Sequence, residues 1–123
     1  MRPQQQDNSV ITRHQTTPIL SKVLVANGFA FLSGLTAKDR SGGVAEQTAD
    51  ILAQIDEYLE MAGTNKSRIV TGNVWLKDIS TFAEMNEAWE AWVDKDALPA
   101  RATVEARLAR EDILVEIQVQ ALA

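Results

Sequence analysis

Cysteine is absent from this chain of 123 residues, which excludes disulfides, thiolate nucleophiles and cysteine-built metal centres. Histidine occurs once, as His14, so triads of the serine or cysteine type have no other imidazole to serve as base. That histidine lies in an irregular, polar stretch and reads as incidental. No apolar run approaches the roughly 20 residues of a membrane-spanning helix, and the opening MRPQQQDNSVITR has no apolar core of the secretory kind. Cationic charge is scarce as well. With 12 Lys and Arg against 17 Asp and Glu the net charge is −5, so there is no broad attraction to phosphates and nucleic acid is a poor default partner. Carboxylates and histidine nowhere cluster at metal-ligand spacing. A cytoplasmic protein is the simplest expectation.

What is present describes one ordinary globular domain: 46% hydrophobic and 24% charged residues, enough chain for one core and too little for two. Residues 1–9 are polar and aperiodic, and read as a loose terminus. Lys22 to Ala26 and Phe29 to Ser33 are short β-prone runs joined by Asn27-Gly28, the strongest local signal for a hairpin. Leu35 to Gly43, with Asp39, Arg40, Ser41 and two glycines, reads as an exposed loop.

From Val44 to Ala62 apolar residues recur at helical spacing (Ala45, Ala49, Leu52, Ile55, Leu59), and Gly63 stands where a left-handed C′ residue belongs. Ile69 to Asp78 is β-rich, with Gly72 marking a bulge or a close backbone approach. Thr81-Phe82-Ala83-Glu84 has the form of a capping box, and Phe82, Met85, Trp89, Trp92 and Val93 then form the stripe of a second helix ending near Asp94. Large apolar residues at that spacing are what a helix buries, so the stripe is read as core. Asn86 sits about 40° off its axis, either satisfied locally or reaching the sheet.

The stretch Leu98 to Ala121 organises the rest. Ala102, Val104, Ala106 and Leu108 alternate with polar residues, and Ile113, Val115, Ile117 and Val119 do so again, which predicts two half-buried strands. The polar link Ala109 to Asp112 is hairpin-sized. Paired that way, Arg101 and Glu116 share the face opposite the apolar residues, about four rungs or 13 Å apart. An arginine fork suits a carboxylate, and a glutamate can handle a proton or a water, so this pair is the best candidate for chemistry. The same pattern also describes the solvated face of an antiparallel sheet. The element order is β-β-α-β-α-β-β, an α+β sandwich with both helices on one face of the sheet. The other face must be covered by water or by another subunit.

Ser33-Gly34, Glu46-Gln47-Thr48, Ala62-Gly63, Asn86 in FAEMNEAW, Pro99-Ala100-Arg101-Ala102-Thr103-Val104 and Val115-Glu116-Ile117 together resemble the RidA family, formerly YjgF or UK114, from about residue 10 to the C-terminus. The details point to a divergent branch. The resemblance implies a chorismate-mutase-like fold, a homotrimer, and clefts between subunits. It also implies hydrolysis of enamine and imine intermediates of the 2-aminoacrylate type to 2-keto acids and ammonia, with no metal or organic cofactor. On that resemblance Arg101 grips the substrate carboxylate and Glu116 orients or activates water. Gly34 and Thr103 offer backbone hydrogen bonds, and Ser33 and Asn86 support the cleft.

Two departures stand out. Leu20 or a neighbour occupies the place of the family's N-terminal tyrosine, and Leu35 replaces the glutamine that follows Ser-Gly. The competing readings are a module that binds a small carboxylate without turnover, using Arg101 but not Glu116, and a ribonuclease or translation inhibitor, against which the acidic chain counts.

Overall fold

The computed structural model describes residues 10–123; the segment read as a loose terminus lies outside the described residues. A seven-stranded sheet is built from β1 (Ile11–Thr16), β2 (Ser21–Ala26), β3 (Phe29–Leu32), β4 (Leu35–Thr36), β5 (Ile69–Leu76), β6 (Ala100–Glu105) and β7 (Val115–Leu122). The helices α1 (Val44–Met61) and α2 (Phe82–Trp92) pack on it. The strand order is β1-β2-β3-β7-β5-β6, with β4 also paired to β7. This is the α+β sandwich the sequence predicts, with two strands more.

The Asn27-Gly28 turn joins β2 to β3 as expected, with both residues at positive φ (52° and 79°), the geometry of a type I′ hairpin turn. Helix α1 ends where predicted: Ala62 is its last cap residue and Gly63 has φ +80°. Its apolar face, with Ile51, Leu52, Ile55 and Leu59 wholly buried, meets Val23, Leu32, Ile117 and Val119 from the sheet.

Four expectations are corrected. The stretch holding His14 is strand β1, an edge strand paired to β2, because its backbone completes the ladder whatever its polarity. Leu35 to Gly43 is only partly a loop. Leu35 and Ala37 are 1% and 2% exposed, and β4 continues the β3 edge along β7. The capping box at Thr81 does not form. A 3₁₀ turn (Ile79–Thr81) leads into α2, and Thr81 Oγ1 donates to the Asp78 carbonyl at 2.6 Å instead of capping the helix. At α1 it is Glu46 that reaches back, its Oε1 accepting from the Gly43 N–H at 2.8 Å.

The fourth correction decides where the site is. Strands β6 and β7 are not a hairpin; β5 lies between them, parallel to β6 and antiparallel to β7. The unit β5-α2-β6 is a crossover through a helix, which parallel neighbours require. The link from Ala106 to Leu114 then passes around the end of β5. The Ala106 N–H donates to the Leu76 carbonyl and the Lys77 N–H to the Leu114 carbonyl. On β7 the predicted inward residues are buried throughout. On β6 the parity is reversed: Ala102 and Val104 are exposed on the face away from the helices, and Arg101 and Thr103 face α2. Alternation fixes a strand's two faces, but not which neighbour it pairs with or which face is covered.

Gln47, in the Glu46-Gln47-Thr48 motif, has a structural role. It is fully buried, its Nε2 donating to the Asp112 carbonyl (2.9 Å) and more weakly to those of Gly42 and Arg40. Its Oε1 accepts from the Leu114 N–H (3.0 Å). One side chain thereby ties the loop before α1 to the segment that delivers β7 and Glu116.

Candidate functional site

Arg101 sits on the edge strand β6 opposite Gly72 of β5. A Cβ at Gly72 would meet Trp89 at 3.4 Å and Arg101 Cγ at 3.8 Å, ordinary packing distances, so both side chains lie over this position without requiring the glycine. The guanidinium lies 5.0 Å from the Trp89 ring centre and 5.6 Å from that of Phe82, with Nη1 4.0 Å from Met85 Sδ. These contacts hold an arginine flat against aromatic faces. Of the predicted stripe Met85, Trp89 and Val93 are core (0%, 6% and 9% exposed), Trp92 is partly buried and Phe82 is 40% exposed; Phe82, Met85 and Trp89 are also the platform under Arg101. That second role had no signal in the sequence, because it depends on the parallel pairing of β5 and β6.

Burial pushes the Arg101 pKa down from its usual value, a cost that an anion would relieve. The ion pairs among the described residues are Arg40 with Asp112 and Lys77 with Glu111; Arg101 has no carboxylate within salt-bridge distance. Asn86 lines the same cavity as Arg101, about 580 Å³ between α2 and the approach to β6. Thr103 Oγ1 is buried without a hydrogen-bond partner among the described residues.

Glu116 stands elsewhere. It is on central strand β7, opposite Thr36 on one side and Trp75 on the other, and points to the face away from the helices. Strand β3 pairs Phe31 with Gln120, whereas β4 pairs Leu35 with Ile117, so one extra residue is accommodated at Ser33-Gly34. This is a β-bulge. Glu116 packs directly over Gly34: a Cβ there would collide with the Glu116 carboxylate. Burial raises the Glu116 pKa, with no charged partner opposing the shift. Ser33 gives its backbone N–H to the Lys22 carbonyl (3.0 Å), leaving a buried Oγ without a partner among the described residues.

The predicted residues therefore form two groups. Arg101 and Asn86, with Thr103 beside them, belong to the β6 edge and α2, and Ser33, Gly34 and Glu116 to the bulge on β7. The shared face predicted for Arg101 and Glu116 is incorrect; within one chain they lie on opposite faces of the sheet with β5 between. Of the two departures, Leu35 is a core residue and Leu20 lies half exposed in the β1–β2 turn. No group of three His, Cys, Asp or Glu among the described residues could hold a metal ion.

Comparison with known proteins matches residues 11–123 to the family model described as Endoribonuclease L-PSP. A RutC family protein of Haemophilus ducreyi is 40% identical over 112 residues, 91% of this chain and 96% of the relative. RutC family protein YoaB of Escherichia coli is 41% identical over 101 residues, 82% and 88% of the two chains. Among solved structures, NMB1025 of Neisseria meningitidis, a member of the YjgF protein family, superposes with a TM-score of 0.91 at 44% identity, over 94% of this chain and 96% of that one. On these matches the chain belongs to the RidA family, also known as YjgF/YER057c/UK114.

Proposed function

We propose that this protein hydrolyses reactive enamine and imine intermediates to 2-keto acids and ammonia, in clefts that neighbouring copies of a homotrimer complete together. The observation that carries the reading is a pair of half-buried, opposite charges, Arg101 and Glu116, without an ion-pair partner among the described residues and held on opposite faces of one sheet. Arg101 and Asn86 from one copy would face Ser33, Gly34 and Glu116 from the next. Phe31, Val104 and Leu122, 37–50% exposed on the sheet face without helices, supply apolar surface for that contact.

In the proposed reaction Arg101 binds the substrate carboxylate through two hydrogen bonds and so fixes the adjacent C=N carbon. An enamine first takes a proton at its terminal carbon to become the imine. Water adds to the C=N carbon as Glu116 accepts one of its protons, giving a carbinolamine. Glu116 returns that proton to nitrogen and then takes the hydroxyl proton as the hydroxyl collapses to a carbonyl; the C–N bond breaks, the keto acid forms, and ammonia leaves and picks up the proton from Glu116 as ammonium. A carboxylate whose pKa burial has raised takes up a proton from water more readily than an exposed one.

The deciding assay couples a pyridoxal enzyme that generates 2-iminopropionate to keto-acid detection. Wild type should accelerate release. Arg101→Ala should lose both rate and keto-acid binding, and Glu116→Gln should lose about 10²-fold in rate while still binding. Binding without any acceleration by wild type would favour the non-catalytic module. The family model's description favours a ribonuclease instead; RNA cleavage that co-purifies with the protein and vanishes in Arg101→Ala would support it.

A further inference from the structure

Arg101 is the common wall of two cavities of unlike character. On the sheet face without helices, a space of about 380 Å³ is bordered by Thr71, Asn73 and Gln120, with Thr71 Oγ1 and Gln120 Oε1 already bonded at 3.1 Å. On the α2 side, the 580 Å³ cavity is walled by Trp89, Val93, Leu98 and Pro99, with Asn86 beside the arginine. Trp89 and Val93 are 6% and 9% exposed and fixed in the core, whereas Leu98 is 67% exposed. Glu90 and Lys95 stand at the same cavity with opposite signs and offset each other, which leaves Arg101 as the uncompensated charge of its lining. The space is open to solvent on the single chain, and its volume is of the order of small-molecule sites, about 300–1,000 Å³. A three-carbon acid gripped at Arg101 would leave most of it empty.

We infer that the cavity walled by Trp89, Val93, Leu98 and Pro99 receives the side chain of the substrate, so that the protein selects 2-imino acids bearing a large neutral apolar or aromatic side chain over 2-iminopropionate. This rests on the proposed function for the carboxylate grip at Arg101. The carboxylate lies at the cavity's inner end, the reacting carbon stays at the sheet edge, and the side chain extends along Trp89 towards Leu98. Desolvating an apolar group against the walls made by Trp89, Val93, Leu98 and Pro99 supplies the selectivity.

The test is calorimetric binding of three 2-keto acids, pyruvate, 4-methyl-2-oxopentanoate and phenylpyruvate, to wild type and Leu98→Glu. Rates are measured beside it on the imines that an amino-acid oxidase makes from alanine, leucine and phenylalanine. Phenylpyruvate should bind at least about tenfold more tightly than pyruvate, with the branched acid between. Leu98→Glu should shrink that ratio about fivefold or more by placing a charge on the apolar wall. Should Leu98→Glu alter the assembly, Leu98→Ala carries the same comparison, with a smaller fall in the ratio. Equal affinity for pyruvate and phenylpyruvate, or a ratio that neither variant changes, overturns the inference. Selective binding without turnover of any imine would sustain the pocket and refute the hydrolase reading.

Discussion

The two halves of the candidate site are held by different means. Glu116 lies on a central strand paired on both sides, and a bulge and a glycine shape the space its carboxylate fills. Arg101 lies on an edge strand paired on one side only, and aromatic side chains of α2 hold it in place. Backbone geometry places the first group and side-chain packing the second. The Glu116 half should therefore be sensitive to small changes of backbone shape, and the Arg101 half to loss of ring surface. Each half carries a charge without an ion-pair partner among the described residues, which is the physical ground for looking to a second copy.

The largest effect expected would test whether the halves come from different chains. Arg101→Ala and Glu116→Gln should each be nearly inactive alone. Co-expressed as mixed trimers, they should recover about a quarter of wild-type activity through random pairing of intact halves in a closed ring. Complementation requires assembly, so light scattering on the same samples checks the threefold state. Absence of recovery in verified mixed trimers would place both residues of a working site in one chain.

Next in size, Gly34→Ala probes the bulge. The added methyl meets the end of a flexible carboxylate, so the fold should survive with Glu116 displaced. The rate should fall about tenfold or more, with keto-acid binding little changed. Calorimetry beside the coupled assay separates the two, and an unchanged rate would show that the Glu116 position does not matter to turnover. Phe82→Ala is the corresponding probe of the other half. Phe82 is 40% exposed, so its loss costs the fold little, and removing one ring from beside Arg101 should weaken keto-acid binding about threefold.

The smallest effect concerns pH. Burial raises the Glu116 pKa above its unfolded value, so the folded state holds that proton more tightly. Stability then falls as pH rises through the window between the unfolded and folded values, and the full penalty is present above it. Glu116→Gln should raise Tm slightly at neutral pH and make no difference once the solution is acid enough to protonate the residue in both states. Activity runs the other way, since the proposed base must be ionised, so wild-type rate should decline as pH drops through the raised value. Melting curves and pH–rate profiles of the same two proteins read both signs.

Much of the fold was legible because its signals are local. Asn27-Gly28 can take the positive φ values a tight hairpin needs, Gly63 ends α1, and the stripes of both helices mark their buried sides. The candidate residues were legible too, as a set of motifs whose pattern belongs to one family. Their arrangement was not. The sequence determined that Val115 to Ala121 alternates and buries one side, and that Ala100 to Glu105 is a strand after a helix. The short polar link after Leu108 suggested a hairpin between those two strands. Only the tertiary structure decided that β5 lies between, that α2 covers the Arg101 side of β6, and that Glu116 fills the hollow at Gly34 on the opposite face. Periodicity reports how often a chain turns towards an apolar environment, whereas partner and register follow from which long-range burial the whole chain can satisfy at once.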